Sequence, residues 1–286
     1  MKKFIILFTP PIILKFFKKI KNSIFKTNVD NEEPTLNTIQ GGVLKGNEIF
    51  IYNKKDWQIE MINGTYDQFF YDYLKKLDLK NKTILDIGAH IGYTSMAFAK
   101  LTENNGKVYA FEPNDYNIER MNINLKNNPD ISDRIKIFNL AIADKKGEEE
   151  FIFSTKVEKG SSSGSFLDSA HTFWEKDIYE KKLGFQRKVV QTDSLDNLYQ
   201  SKKITNPPAL IKIDIEGAEY LALQGAEQTI NQYKPIILIE IHSIFNMLKT
   251  GEMMNEWNYD IELLKEEKDG RCFLVLTPHE SKVKSL

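Results

Sequence analysis

Two acidic residues, Asp86 and Glu112, each follow a short apolar run and are separated by a glycine-containing segment. The segment after Asp86 carries Gly88 and Gly92 and leads into a stretch that has the pattern of a helix. This spacing is typical of a nucleoside-binding βαβ unit, in which glycines let the backbone approach the ligand and the second acid binds the ribose hydroxyls. The turn lacks the G-x-G-x-x-G pattern that gathers backbone amides around a pyrophosphate. It therefore favours a phosphate-free cofactor such as S-adenosylmethionine over a dinucleotide.

The elements that must position these residues follow an alternating pattern of short apolar strands and amphipathic helices. Such alternation indicates a mostly parallel sheet covered by helices on both faces. A terminal antiparallel hairpin is predicted around the turn Asp269-Gly270. Its two strands are Ile261–Glu266 and Arg271–Thr277. The other predicted strands are Thr83–Ile87, Val108–Phe111, Ile135–Ala141, Ala209–Ile215 and Ile236–Ile241. The predicted helices are Thr65–Leu77, Tyr93–Leu101, Asp115–Asn127 and Glu219–Ile230.

The composition divides the chain into three regions. Residues 1–26 are basic and apolar, and residues 27–64 are predicted to be a linker followed by a small hairpin over Gly42–Asn53. Residues 65–286 carry the alternating pattern and are predicted to form the α/β domain.

The alternation lapses in the middle of this domain, and residues 151–206 are predicted to form an inserted lid or acceptor-binding region. Phe151–Phe153 and Lys188–Val190 could pair as strands within it. The polar, glycine-containing loop Gly160–Ser165 should lie at the carboxyl edge of the sheet, where ligands bind in open α/β folds. A flexible connection without a binding role is the alternative.

Charge is distributed unevenly along the chain, because the first 26 residues contain seven lysines and no acid. The rest holds 32 basic and 40 acidic residues, a net charge of −8, which argues against general nucleic-acid binding. The uncharged stretch near the amino terminus is 11 residues long, shorter than the ~20 that a spanning helix needs. Apolar and aromatic residues mixed with lysines predict a segment that lies in the membrane interface, with a disordered basic tail as the alternative.

The single cysteine, Cys272, excludes an internal disulfide and a cysteine-based zinc site. This is consistent with a reducing compartment. We therefore expect a cytoplasmic protein, associated peripherally with the inner face of the membrane through residues 1–26.

Four sequence blocks resemble, in the same order, those of the FkbM-type S-adenosylmethionine-dependent O-methyltransferases. The blocks are Asp86–Tyr93 (DIGAHIGY), Phe111–Asn114 (FEPN), Ala141–Asp144 (AIAD) with Gly147, and Ile211–Glu219 (IKIDIEGAE), and Pro235–His242 is also similar. The resemblance runs from about Thr65 to Thr277. It implies an α/β, Rossmann-like class I methyltransferase fold with a mostly parallel seven-stranded sheet and a C-terminal antiparallel hairpin. His90 departs from the family, which usually has asparagine at this position.

The resemblance also implies a set of cofactor-binding residues around the glycine turn and the second acid. Asp86 is expected to face the ammonium group of S-adenosylmethionine, and capping of the next helix is its alternative role. Glu112 is expected to accept hydrogen bonds from both ribose hydroxyls, and Ala141 and Ile142 to border the adenine ring. The full set is Asp86, Gly88, Ala89, His90, Gly92, Tyr93, Glu112, Pro113, Asn114, Ala141 and Ile142.

Methyl transfer to a hydroxyl requires a group that removes the hydroxyl proton. Four candidates lie at predicted carboxyl ends of strands: Asp214, Glu216, Glu240 and His242. His242 is attractive because the unperturbed pKa of histidine is near neutral, although a packed histidine is the alternative. Asp214, Glu240 and His242 could instead hold a divalent cation that acidifies a sugar diol. The sequence does not show whether these groups converge, and a metal is not predicted.

The predicted function is S-adenosylmethionine-dependent O-methylation of a hydroxyl on a glycan, sugar or small-metabolite acceptor. One alternative is a Rossmann enzyme that uses NAD or a nucleotide sugar, which the missing third glycine disfavours. A second is a non-catalytic cofactor-binding scaffold, against which the presence of Asp86, Glu112, Asp214 and Glu216 argues.

Overall fold

The computed structural model describes residues 33–53, 55–103, 105–154, 165–170, 185–268 and 270–279. The predicted membrane-interface segment, residues 1–26, and nearly all of the loop Gly160–Ser165 lie outside these ranges. Within them, no helix is long and apolar enough to cross a membrane.

Strands and helices alternate through most of the described chain. The strands are β1 (Thr35–Thr38), β2 (Glu48–Ile51), β3 (Thr83–Ile87), β4 (Lys107–Phe111), β5 (Ile135–Phe138), β6 (Ala141–Ile142), β7 (Gly147–Ser154), β8 (Phe166–Leu167), β9 (Phe185–Asp193), β10 (Pro208–Ile213), β11 (Ile236–Ile241), β12 (Tyr259–Glu266) and β13 (Cys272–Pro278). The helices are α1 (Asp56–Asn63), α2 (Gln68–Leu74), α3 (Tyr93–Leu101), α4 (Asp115–Lys126), α5 (Pro129–Ser132), α6 (Leu195–Gln200), α7 (Glu219–Gln224), α8 (Glu227–Tyr233) and α9 (Ile244–Trp257).

A seven-stranded sheet in the order β12-β13-β11-β10-β3-β4-β5 forms the centre of the molecule. Its strands all run in one direction except β13, which pairs antiparallel with both β11 and β12, and this confirms the predicted Rossmann-like α/β fold with a terminal hairpin. The central strands are apolar without alternation because helices cover both faces of the sheet. Ile84 packs into the core on one face, and Leu85 and Ile87 pack into the core on the other.

The strand predicted at Ile135–Ala141 is divided between two sheets. Strand β5 ends at Phe138, and the Leu140 N–H then donates to the Glu112 carbonyl over 3.3 Å. This bond continues the β4–β5 ladder by one step, after which the chain leaves the main sheet and β6 pairs with β9 in a second sheet of order β6-β9-β7-β8. This second sheet contains the pairing suggested for the inserted region, since Phe151 lies opposite Lys188.

The helix predicted at Glu219–Ile230 is two helices, α7 and α8, with a break at Gly225. A Cβ atom at Gly225 would lie 2.0 Å from the carbonyl oxygen of Ala143, so only glycine lets the two backbones approach this closely. The Gly225 carbonyl instead accepts a hydrogen bond from the Asp196 N–H over 2.9 Å. The strand predicted at Ala209–Ile215 ends at Ile213, which leaves the following residues in a turn.

The amino-terminal part of the described chain differs most from the prediction. The hairpin predicted at Gly42–Asn53 is formed by β1 and β2, so its first strand lies in the region interpreted as a linker. Helix α1 was not predicted, and the helix predicted at Thr65–Leu77 is limited to α2. It begins only after Asp67, whose φ of +46° is left-handed and cannot continue a helix.

Two asparagines of the α4 region fasten this hairpin to the domain. Buried Asn124 donates to the Ile91 carbonyl over 2.8 Å and accepts from the Phe50 N–H over 2.6 Å. Asn128 accepts from the Glu48 N–H and donates to the Glu48 carbonyl. Side-chain amides therefore satisfy backbone groups that would otherwise be left unpaired in the interior.

We predict that Asn124→Ala lowers the free energy of unfolding by about 2–4 kcal/mol, because it leaves two backbone groups without partners. Urea denaturation followed by circular dichroism measures this change. Asn127→Ala is the matched control: its side chain is exposed at the end of α4, and the expected change is within about 0.5 kcal/mol. Equal effects of the two substitutions would contradict the anchoring role of Asn124.

Candidate active site

A cavity of about 520 Å³ opens at the carboxyl ends of the central parallel strands, on the edge where open α/β sheets bind ligands. Most of the predicted site residues line it: Gly88, Ala89, His90, Tyr93, Glu112, Pro113, Ala141, Ile142, Asp214, Glu216 and Glu240. Its lining does not include Asp86, Gly92, Asn114 and His242. Residues that were not predicted also contribute, among them Trp57, Glu60, Tyr66, Asp67, Phe151, Phe166, Leu167, Lys212, Arg271 and Phe273.

The glycine turn after β3 joins the part of the cavity at the end of β4 to the part that follows β10. Gly88 has a φ of +81°, and a Cβ atom there would lie 1.8 Å from the carbonyl oxygen of Asp214. The N–H groups of Gly88 and Ala89 both donate to the Phe111 carbonyl over 3.0 Å. The turn is thus fixed between the end of β4 and the segment that follows β10, and glycine is required at its first position.

The Glu112 carboxylate is held by three donors of the protein. One oxygen accepts from the His90 N–H over 2.9 Å, and the other accepts from the Asn114 N–H over 2.9 Å and the Asn117 side chain over 3.2 Å. Burial raises the pKa of Glu112, while these donors act in the opposite direction. The carboxylate lines the cavity in a fixed orientation, and its remaining lone pairs are available to a ligand.

His90 adopts a left-handed backbone with a φ of +51° and turns its ring towards Trp57, with ring centroids 5.9 Å apart. Burial, and next the nearby Arg120 guanidinium, lowers the pKa of His90 to about 4, so the ring is neutral at physiological pH. Its Nε2 atom is buried and has no hydrogen-bond partner in the described part of the chain.

Two predicted contact residues have structural roles behind the cavity wall. Gly92 has a φ of +86° and begins α3, where a Cβ atom would lie 2.6 Å from Met121. Asn114 caps α4 by accepting the Tyr116 N–H. Both residues shape the segments that carry Glu112 and the glycine turn.

Asp86 faces a cation that the protein itself supplies, and its contact with the cofactor ammonium group, directly or through water, stays a prediction. Its carboxylate is fully buried, lies 3.3 Å from the Lys212 ammonium and accepts a hydrogen bond from Ser95 over 2.5 Å. Lys212 also donates to the Gly88 carbonyl over 2.8 Å and lies 3.5 Å from Asp214. Burial lowers the pKa of Lys212, but the two aspartates outweigh burial and raise the pKa above its ordinary value.

The four predicted catalytic residues converge at the ends of β10 and β11. The Nε2 atom of His242 lies 3.3 Å from Glu216, 3.7 Å from Glu240 and 3.9 Å from Asp214. Glu240 also pairs with Arg271 over 2.7 Å. Of the described residues, Asp214, Glu240 and His242 form a group whose potential ligand atoms all lie within 4.8 Å of one another.

Asp214, Glu240 and His242, called the acidic cluster below, differ in protonation. Burial favours a higher pKa for Asp214, but Lys212 and His242 outweigh it and hold the pKa below its usual range. Burial and the neighbouring Asp214 carboxylate raise the pKa of Glu240 to about 8. Burial favours a lower pKa for His242, but hydrogen bonding to Glu219 and nearby Glu216 raise it to about 10. At neutral pH, Asp214 is therefore ionised and the other two are protonated, so His242 does not have the near-neutral pKa that made it attractive.

The residues missed by the sequence interpretation lacked a local signal. Lys212 stands inside a matched block, but its burial against Asp86 depends on the pairing of β10 with β3. Asp67 lies next to an amphipathic run, and burial raises its pKa to about 6 only in the folded chain. Phe151 and Phe166 reach the cavity through the second sheet.

Solved structures resemble the chain in fold. The FkbM methyltransferase from Methylobacillus flagellatus matches with a TM-score of 0.50 and 17% sequence identity, over 78% of this chain and 55% of that protein. The chain thus spans about half the length of that relative. An O-methyltransferase from Thermotoga maritima matches with a TM-score of 0.46 and 13% identity, over 89% of each chain. A putative rRNA methylase from Clostridium thermocellum also has a TM-score of 0.46, with 12% identity over 73% of this chain and 93% of that one.

Comparison with curated proteins gave no match. The sequence profile of the methyltransferase FkbM domain, in contrast, matches residues 86–261, which is more than half of the chain and includes Glu112 and the acidic cluster. The cavity also fits the cofactor of this family, since it combines a glycine turn, an oriented carboxylate and an apolar border at Ala141 and Ile142. The chain therefore belongs to the FkbM methyltransferase family, whose members transfer a methyl group from S-adenosylmethionine.

Proposed function

We propose that the protein transfers the methyl group of S-adenosylmethionine to a hydroxyl of a glycan, sugar or small-metabolite acceptor. The observation that carries this proposal is the junction at Gly88, which joins the oriented Glu112 carboxylate to the acidic cluster in one cavity. The residue proposed to bind the cofactor and the residues proposed to accept the proton thus lie on opposite sides of the turn at Gly88.

On the cofactor side, Glu112 is proposed to bind the ribose hydroxyls with the lone pairs that its three protein donors leave open. Ala141 and Ile142 are proposed to border the adenine ring, and Gly88 to admit the methionine portion close to the backbone. Asp86 also acts indirectly, because Lys212 neutralises it and fixes the glycine turn. When bound, S-adenosylmethionine supplies a methyl group on a good leaving group, so the protein mainly aligns the acceptor and removes a proton.

On the acceptor side, Asp214 is proposed to take the hydroxyl proton. Its side chain is 33% exposed to the cavity and ionised at neutral pH. Glu240 is protonated at this pH and can donate a hydrogen bond, while the imidazolium of His242 stabilises the charge of Asp214. Ionised carboxylates of this kind suit hydroxyl acceptors, which must lose a proton during methylation.

The surrounding segments are proposed to select the acceptor. The described part of the insert 151–206 supports this role, because Phe151 and Ser165–Leu167 line the cavity. Residues 1–26 are proposed to hold the protein at an anionic membrane surface on the cytoplasmic side, for which their seven lysines and apolar residues are the support. A lipid-linked glycan would then be within reach of the site.

We predict that Glu112→Gln weakens binding of S-adenosylmethionine and S-adenosylhomocysteine by about 10- to 100-fold, because the amide loses the charge-assisted hydrogen bonds to ribose. Isothermal titration calorimetry measures the two affinities. Glu119→Gln, which removes an exposed acid from α4, is expected to bind both ligands as the wild type does. Unchanged affinity in a folded Glu112→Gln variant would refute the proposed ribose contact.

We also predict that a screen of hydroxyl-bearing acceptors, read out as S-adenosylhomocysteine formation, identifies at least one sugar or metabolite that is O-methylated. With that acceptor, Asp214→Asn should lower kcat by about 10²- to 10⁴-fold, because the ionised carboxylate is lost. Cofactor affinity should stay within a few-fold of wild type. Asp260→Asn, an exposed acid on β12, serves as the control with unchanged kcat. Methylation confined to nitrogen or carbon atoms, or full activity of Asp214→Asn, would count against the proposal.

A further inference from the structure

The imidazole of His242 has one buried nitrogen atom without a partner. Its side chain is 7% exposed, and in the described part of the chain its Nε2 atom has no hydrogen-bond partner. This atom nevertheless points into a group of carboxylate oxygens from Glu216, Glu240 and Asp214, at distances of 3.3–3.9 Å. The contact with Glu216 is an ion pair when the ring is protonated, and the contacts with Glu240 and Asp214 are longer than direct hydrogen bonds. The atom thus faces a small space surrounded by oxygen atoms.

The other nitrogen atom of the ring is held in a fixed position. His242 Nδ1 lies 2.8 Å from Glu219 Oε1, and the Glu219 side chain is fully buried. Glu219 is fixed in turn, because it accepts from the Gly217 N–H over 2.8 Å and from the Asn246 side chain over 2.6 Å. Histidines that bind metals usually donate their second ring N–H to such a carboxylate, which fixes the tautomer and directs the free nitrogen at the ion.

The spacing of the group suits a bound ion. Ligand atoms about 2.1 Å from a common octahedral centre are about 3.0 Å apart when adjacent and about 4.2 Å apart when opposite. His242 Nε2 lies 3.7 Å from Glu240 and 3.9 Å from Asp214. All three potential ligand atoms lie within 4.8 Å of one another, so small side-chain rotations suffice to close the set.

Two cationic side chains, Lys212 and Arg271, already pair with some of the carboxylate oxygen atoms of this set. Lys212 pairs with Oδ2 of Asp214, whereas Oδ1 of the same carboxylate faces His242. Arg271 pairs with Oε1 of Glu240, but its side chain is 38% exposed and can withdraw towards solvent. Asp214 and Glu240 also share a hydrogen bond, and an ion at this position would displace its proton.

We propose that Asp214, Glu240 and His242 bind one divalent cation of the Mg²⁺ and Mn²⁺ class, with Glu219 as the partner that positions His242. Two carboxylates favour hard cations, and the imidazole favours Mn²⁺ over Mg²⁺ among them. Asp214 and Glu240 line the cavity, so the open coordination positions face the acceptor. This last step rests on the proposed function: the cation would bind the acceptor hydroxyl and lower its pKa, which would ease removal of its proton by the neighbouring carboxylates.

The test is a titration of the full-length, chelator-treated protein with MnCl₂ in the absence of cofactor. Calorimetry measures the heat of binding, and electron paramagnetic resonance measures the loss of the signal of free Mn²⁺. We expect one Mn²⁺ per chain and at least tenfold weaker binding in Asp214→Asn and in Glu240→Gln. Glu60→Gln removes an acid from the opposite part of the cavity lining and should bind Mn²⁺ as the wild type does.

Absence of saturable Mn²⁺ binding to the wild type would overturn the proposal, and this result does not depend on any variant folding. Equal affinity of the wild type and both cluster variants, with folding verified by thermal denaturation, would overturn it as well. A separate titration with S-adenosylmethionine distinguishes this failure from failure of the proposed function. Mn²⁺ binding without cofactor binding would leave the cation site standing and refute the enzyme mechanism, and the reverse result would refute only the cation site.

Discussion

The buried ammonium group of Lys212 is the contact on which the geometry of the cavity depends. It lies between Asp86 at the end of β3 and Asp214 after β10, and it binds the carbonyl of Gly88 in the turn between the two halves of the site. A charge in this position must be paired, since removing one partner from a buried ion pair typically costs about 3–5 kcal/mol. The three segments are therefore held in one arrangement. Asp86, whose contact with the cofactor stays a prediction, thereby also supports the glycine turn.

The sequence predicted the features that depend on local pattern. Continuous apolar runs such as Thr83–Ile87 identify strands that are buried on both faces, and the glycine after Asp86 marks a turn that no other residue fits. The parallel order then follows, because strands of this kind meet at one edge and bring their following residues together. For this reason Asp214 and Glu240 could be assigned to the carboxyl ends of strands, whereas their convergence with Glu112 in one cavity is seen only in the structure.

The features that were missed depend on contacts between distant segments. Strand β5 ends early because the chain goes on to pair with β9 through β6, and the α7–α8 break lies where Gly225 packs against Ala143. Neither partner is visible from the local sequence. The same holds for His242, whose pKa is raised by Glu219 and Glu216 after the chain has folded. An unperturbed pKa was therefore a poor guide to its protonation.

The residues that line the cavity come partly from inside and partly from outside the range that the family profile matches. Residues 86–261 supply the glycine turn, Glu112 and the acidic cluster, whereas Trp57, Asp67, Arg271 and others come from outside this range. The amino-terminal wall is attached through the hairpin that Asn124 and Asn128 fasten to α4. The residues proposed for catalysis thus lie within the matched range, while flanking segments add part of the cavity wall.

Three residues of the cavity lining, Asp67, His90 and Glu216, adopt left-handed backbone conformations although none is glycine. Such a conformation typically costs of order 1–3 kcal/mol for a non-glycine residue. At these three positions the strained residue lines the cavity, so part of the binding surface is held ready at the expense of folding stability. Replacing these residues with glycine would relax the backbone and remove a functional group at the same time. Selection for thermal stability alone would therefore tend to erode this part of the site, a conflict between robustness and activity that is built into its backbone.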